Sequence, residues 1–473
     1  MPENKELKTK AVVVAVDMGY GHQRTAFPLK RLAINSEIVN ANNYPGIPQK
    51  DKNFWQLARR FYEAISKFKK LPLLGGLVFH IYNKLQAIPR FFPRRDLSRP
   101  PLSSRITFRL IKNGWGRHLI EKLAGAGAGA RNASRSDAGG PPLISAFFIP
   151  AFMAEYFNYP GEIFCVICDT DISRAWTSLR PGKSRIKYFA PNIRTQERLG
   201  LYGVRPENIF LTGYPLPLEN IGGESMDILK NDLKSRLLNL DPQGRYRQTY
   251  GQLIKEHLGD LPSESGRPLT IMFSVGGAGA QKDIAVRALV SLKNKIQSGE
   301  IKMILAAGVK DSVKDFFVKN IKRLGLGENL NAPHESGASL SMQEKNIEII
   351  FSSNIEHYFS RFNRALRTTD ILWTKPSELS FYAALGLPII VAPAIGSQED
   401  FNKRWLLKSG FGMEQENPKY FAEWLFDWLD NGYLAECAMQ GFIEGEKLGV
   451  LNIQKIITDT ENSYWKIENG NRN

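Results

Sequence analysis

The chain has 473 residues, 43% of them apolar, and a formal net charge of +16. That length exceeds one ordinary core and the apolar content suffices for two, which excludes a largely disordered chain and predicts two domains of roughly 200 residues each. The positive charge calls for an anionic partner (nucleic acid, a membrane surface or a phosphorylated substrate), while three cysteines exclude a disulfide framework and fit a reducing compartment.

The charged start, MPENKELKTK, reads as no secretory signal and leads straight into AVVVAV (11–16), an apolar strand. The strand breaks into DMGYGHQR, with Asp17, Gly19, Gly21 and His22. From 52 to 95 many cations face one acid, Glu63, and Phe54, Leu57, Phe61, Ile65 and Phe68 recur at helical spacing. An apolar stripe bordered by cations suits a helix lying on an anionic bilayer; the plainer alternative is a helix packed on a sheet with a solvated basic face. AGAGAGARNASRSDAGG (124–140) reads as a flexible surface insertion.

Strands follow at PLISAFFI (142–149), EIFCVIC (162–168), IKYFAP (186–191) and NIFLTG (208–213). Cys165 and Cys168 sit on an apolar strand where a spacing of three sends them to opposite faces, so they read as buried structural thiols. A linker (214–223) and charged helices (226–258) lead to LTIMFSVGGAGAQKD (269–283). Further strands are IKMILAAG (301–308), IEIIFSS (347–353), DILWTK (370–375) and LPIIVAPA (387–394), and helices rich in Trp, Phe and Tyr fill 418–465. Short apolar strands alternating with helices predict parallel sheets covered on both faces, twice over. No apolar run reaches the roughly 20 residues of a spanning helix.

Ligands of open α/β sheets bind at the carboxyl ends of the strands. A glycine turn there permits close backbone approach, and the next helix offers N–H groups to an anion. Gly19 and Gly21 open the first domain in this way; Gly276, Gly277 and Gly279 open the second. Neither is a full GxGxxG fingerprint. His22, at the mouth of such a turn, is the candidate base, with Asp17, Asp169 or Asp171 at strand ends to orient or replace it.

These residues also carry a resemblance. DMGYGHQRTA, the stretch DTDISRAWTSLRPGKSRIKYFAPNIRTQERLGLYGVRPENIFLTGYPL (169–216), FSVGGAGA and TTDILWTKPSELSFYAALGLPIIVAPAIGSQEDFNKRWL (368–406) resemble, in that order, the motifs of one glycosyltransferase family. It includes the monogalactosyl- and glucosyl-diacylglycerol synthases and the peptidoglycan lipid-intermediate GlcNAc-transferase. The resemblance implies an α/β chain of GT-B fold: two Rossmann-like, doubly wound domains facing a central cleft. It divides the chain into an acceptor domain (1–217), a linker with helices (218–268), a donor domain (269–415) and C-terminal helices (416–473). It implies an inverting, metal-independent transfer of a sugar, UDP-linked in such enzymes, to a lipid or lipid-linked hydroxyl at the inner membrane face, with no cofactor and no nucleic acid.

Carried over by position, His22 is the base, and Gly19, Gly21, Asp169, Asp171 and Trp176 lie on the acceptor side. Gly276, Gly277, Gly279, Phe351, Ile355, Lys375, Ser377, Glu378, Ser380, Gln398, Glu399 and Asn402 lie on the donor side. Two departures stand out. Ser377 and Glu378 replace the usual glycines of the diphosphate loop, with Ser377 as a helix cap and Glu378 in its first turn. Ala383 and Ala384 stand where a ribose-binding glutamate is common. Both departures favour an alternative, a nucleotide-sugar or lipid binding protein without transfer activity. A sugar epimerase on the same fold would need acids around the donor loop that the sequence lacks.

Overall fold

The computed structural model of the protein describes residues 10–57, 88–128, 140–276, 279, 281–331, 345–394 and 397–458. Two compact units result. Met1–Leu216, Ile395–Phe401 and Leu448–Asn473 form one; Pro217–Ala394 and Asn402–Lys447 form the other. Residues 58–87 of the basic stretch 52–95, residues 129–139 of the insertion 124–140, Gly277, and residues 459–473 of the C-terminal segment lie outside the described residues.

In the first unit, β1 (Ala11–Ala15), β2 (Ala33–Asn40), β3 (Leu143–Ser145), β4 (Ile163–Val166), β5 (Lys187–Ala190) and β6 (Ile209–Leu211) make one sheet, ordered β2-β1-β3-β4-β5-β6. Every pair is parallel. β1, β3 and β4 are buried along their whole length, the burial that a run of Val, Ile, Phe and Ala predicts for a sheet covered on both faces. The helices are α1 (Tyr20–Ala26), α2 (Leu102–Lys112), α3 (Arg117–Ala128), α4 (Phe148–Tyr156) and α5 (Ile193–Leu201). α2 buries Ser104 and Ile111 and sets Phe108 against Phe152, 4.9 Å between rings, while Leu102, Arg105, Ile106 and Arg109 line its exposed face. The last helix, Gly449–Thr458, also belongs here: Asn452 donates to the Thr212 carbonyl at 2.9 Å.

Two elements differ from the sequence reading. β2 goes unpredicted because it is a solvated edge strand, its apolar pattern broken where Asn35 and Ser36 take left-handed conformations (φ 54 and 53). The strand expected over 142–149 ends at Ser145. Phe148 begins α4, whose first turn accommodates Pro150, a position where the missing N–H costs nothing.

The second unit opens with α6 (Asp227–Leu240) and α7 (Arg245–Leu258). Arg236 of α6 is buried and donates to the carbonyls of Leu366, Thr369, Leu385 and Gly386, so the 226–258 segment is pinned into this unit's core. The sheet holds β7 (Leu269–Ser274), β8 (Ile301–Gly308), β9 (Ile347–Phe351), β10 (Ile371–Thr374), β11 (Ile389–Val391) and β12 (Gly412–Glu414), ordered β9-β8-β7-β10-β11-β12 and parallel throughout. Around it lie α8 (Lys282–Ser291), α9 (Lys293–Gln297), α10 (Asp311–Arg323), α11 (Ile355–Leu366), the part of α12 (Ser397–Lys408) from Asn402 on, α13 (Phe421–Asp430) and α14 (Tyr433–Glu444). The aromatic C-terminal helices pack as expected: Trp373 meets Phe421 at 4.6 Å and Trp424 at 5.8 Å between rings. β12 escapes prediction through its three-residue length; at Gly412 a Cβ would stand 2.1 Å from the Ile389 carbonyl oxygen.

Both sheets are therefore doubly wound. The strand order reverses between β1 and β3 in the first unit and between β7 and β10 in the second, the switch points where such sheets bind ligands beyond the strand ends.

Candidate functional site

At the first switch point β1 ends at Ala15, and the chain turns through Asp17, Met18 and Gly19 into α1. Gly19 takes φ 110 and ψ 170, a conformation that favours glycine. Gly21 lies in the first turn of α1, where its carbonyl accepts from Thr25 Oγ1. His22 follows. Its Nδ1 lies 3.0 Å from the carbonyl oxygen of Ala146, beyond β3, so one hydrogen bond spans the switch point. A carbonyl only accepts, so Nδ1 carries the proton and Nε2 keeps its lone pair in the neutral ring. Cys168 Sγ, after β4, stands 3.4 Å from the same nitrogen.

Aromatic rings surround the imidazole: Phe147 at 4.4 Å and Trp176 at 6.2 Å between centroids, with Phe148 at 5.2 Å from Trp176. Burial in this setting lowers the His22 pKa to about 4, against the raising effect of the Ala146 bond. The ring is neutral at pH 7.

The acids differ in setting. Asp17 is half-buried, and its backbone N–H and C=O both bond the carboxamide of Asn42. Asp169 is half-buried on the loop after β4. Asp171 is buried in a bidentate pair with Arg198, at 2.8 and 2.7 Å, and takes a third bond from Arg194 at 3.3 Å. Those bonds hold α5 to the loop after β4 and account for Asp171 structurally. The sequence does not single out Ala146 or Asn42, and it reads Cys168 only as a buried structural thiol.

At the second switch point Gly276 follows β7 and Lys375 follows β10. A Cβ on Gly276 would lie 2.6 Å from Lys375 Cε, so the lysine stem crosses the glycine and bridges the two strand ends. Gly279 has φ +71, and a Cβ there would meet Val313 of α10 at 2.7 Å. Gln281, just before α8, donates to the Pro393 carbonyl at 2.7 Å, tying this turn to the end of β11. Phe351 closes β9, with Lys314 Nζ 4.5 Å from its ring and Arg361 bonding its carbonyl. Ile355 starts α11, whose N-terminal amides are capped by Asn354.

Ser377 Oγ accepts from the Leu379 N–H at 3.3 Å and caps a 3-10 segment, Glu378–Leu385, that begins with the buried Glu378. Ser380 is fully buried within it. Ala383 and Ala384 point at α14: a Cβ on Gly441 would lie 2.4 Å from the Ala383 carbonyl oxygen, and one on Gly445 would lie 2.6 Å from Ala384 Cβ. A glutamate side chain has no room there. Gln398, Glu399 and Asn402 share one side of α12 by their spacing, with Asn402 buried. Among the described residues no group of three or more His, Cys, Asp or Glu is placed to hold a metal ion.

A family model described as a domain of unknown function (DUF6938) matches residues 262–403. No curated protein matches the chain. Among solved structures, the UDP-GlcNAc 2-epimerase from Neisseria meningitidis is 12% identical with a TM-score of 0.45, over 95% of this chain and 98% of that one. A glycosyltransferase from Rickettsia africae is 13% identical with a TM-score of 0.37, over 95% and 99%. MurG from Acinetobacter baumannii is 12% identical with a TM-score of 0.38, over 72% and 77%. The chain's own two parallel, doubly wound sheets give the arrangement of elements that the resemblance to GT-B enzymes implies.

Proposed function

We propose that the protein is an inverting glycosyltransferase of GT-B type, moving a sugar from a nucleotide-sugar to the hydroxyl of a lipid or lipid-linked acceptor at the inner membrane face. One observation carries this reading: at the first switch point His22 is neutral, its Nδ1–H bonded across to Ala146, with Nε2 left as the proton acceptor. In the proposed reaction Nε2 takes the acceptor's hydroxyl proton as that oxygen bonds the anomeric carbon. The bond from that carbon to the diphosphate breaks, and the leaving group departs with the electron pair. Lys375 beside Gly276, with the amides opening α8, neutralises that charge; α8 has no side-chain cap, unlike α11.

The membrane part of the reading draws on the first unit's surface. Leu57, Phe92, Leu102 and Ile106 are each more than half exposed, and exposed arginines flank the last three: Arg90, Arg94 and Arg95 beside Phe92, Arg105 and Arg109 beside Leu102 and Ile106. No helix among the described residues is long and apolar enough to cross a membrane, so the contact would be peripheral.

A second reading has its own observation. The cap from Ser377 and the carboxylate of Glu378 occupy the 3-10 N-terminus where a diphosphate loop would be open, which favours a nucleotide-sugar binder without transfer. Calorimetric titration with UDP, GDP, ADP and dTDP, of the native protein and of Glu378→Gly, separates the two. Selective binding by the native protein supports a working donor site. Binding gained only on Glu378→Gly means the site is closed and the second reading leads.

A further inference from the structure

We infer that Asn42 is a positioning residue for the turn that carries His22, holding it through the backbone of Asp17. Its Oδ1 accepts from the Asp17 N–H at 2.9 Å and its Nδ2 donates to the Asp17 carbonyl at 3.0 Å, so one carboxamide imitates a further rung between β1 and β2. The loop bearing Asn42 is itself held from two sides. The Ala41 N–H bonds the Ala15 carbonyl at 2.8 Å, and Asn40 Oδ1 accepts from the Asn42 N–H at 3.3 Å. Further on, the Tyr44 hydroxyl bonds His118 Nδ1 at 2.9 Å and Lys122 donates to the Pro45 carbonyl at 2.7 Å, both partners lying on α3.

The turn needs that hold. Gly19 has φ 110 and is exposed, and a Cβ built on it would meet nothing within 4 Å, so nothing packs on that side of the joint. Asp17 is held on Asn42 before this glycine and His22 on Ala146 after it, while further along α1 Thr25 Oγ1 bonds the Tyr214 hydroxyl at 3.1 Å. Of the groups shown touching the imidazole, the Cys168 thiol is titratable, and Ala146, Phe147 and Trp176 carry no charge.

This rests on the reading of His22 as a base, but its test does not. NMR titration of the His22 imidazole in the full chain, assigned by comparison with His22→Gln, is expected to give a midpoint of about 4. Asn42→Ala lets water reach the ring and raises the midpoint by about one pH unit or more, with circular dichroism unchanged. Asn43→Ala leaves it in place. An unmoved midpoint in folded Asn42→Ala overturns the inference; if that variant does not fold, Asn42→Leu, which keeps the volume without the amide, decides in the same way. Where transfer is measurable, Asn42→Ala lowers kcat about tenfold with KM held. A shifted midpoint in a protein with no transfer activity leaves the positioning intact and removes His22 as base.

Discussion

His22 has a folded-state pKa of about 4 and an ordinary value of 6.5. The unfolded chain therefore takes up the proton first on acidification. The resulting stability is complete above about pH 6.5 and is lost as pH falls towards 4, on the order of 3 kcal/mol at most. Urea denaturation at about pH 7 and about pH 4.5 checks this: His22→Gln shows a flatter pH dependence than the native protein. If His22 is the base, His22→Ala costs roughly 10²–10⁴-fold in transfer with nucleotide affinity kept; unchanged turnover would remove it from the mechanism. Asp171→Asn leaves Arg198 buried without its counter-charge, costing about 3–5 kcal/mol, and an unshifted denaturation midpoint would contradict that. The position of His22 is legible in the sequence because a glycine turn ends an apolar strand. Its partners are not: Ala146 and Cys168 lie 124 and 146 residues away, and only the sheet order brings them to the ring.

The central strands are legible as elements because burial on both faces demands unbroken apolar runs. Of the four edge strands, β6 and β9 keep apolar runs and are legible, while β2, solvated and broken at Asn35 and Ser36, and the three-residue β12 are not. The cap at Ser377 is legible from its spacing; the reason for Ala383 and Ala384 is not, since it lies at Gly441 of α14 and at its C-cap Gly445, which come up against these two alanines. Gly441→Ala is expected to destabilise by about 1–3 kcal/mol. Gly200→Ala, at an open position on α5, is expected to be neutral or to stabilise by up to about 1 kcal/mol. Chemical denaturation of the two variants side by side tests the contrast, and equal effects would deny the close approach.

Two doubly wound units are legible at the scale of the molecule, because strands that alternate with helices leave few other topologies. The basic, apolar surface of the first unit predicts vesicle association that strengthens with anionic lipid and weakens with salt. Sedimentation with vesicles of graded composition measures it, and binding indifferent to both variables would sink the membrane contact. What the sequence conceals is that its last described helix returns to the first unit. Gly449 lies so close to Tyr214 that a Cβ would stand 2.2 Å from that carbonyl oxygen.

That return orders events during synthesis. A ribosome making this chain delivers the first sheet early, yet the surface around Thr212 and Tyr214 waits, uncovered, until the whole second unit has been translated and Gly449–Thr458 emerges. A chain cut before Gly449 holds all of the second unit, Pro217–Ala394 and Asn402–Lys447, and lacks the helix that completes the first.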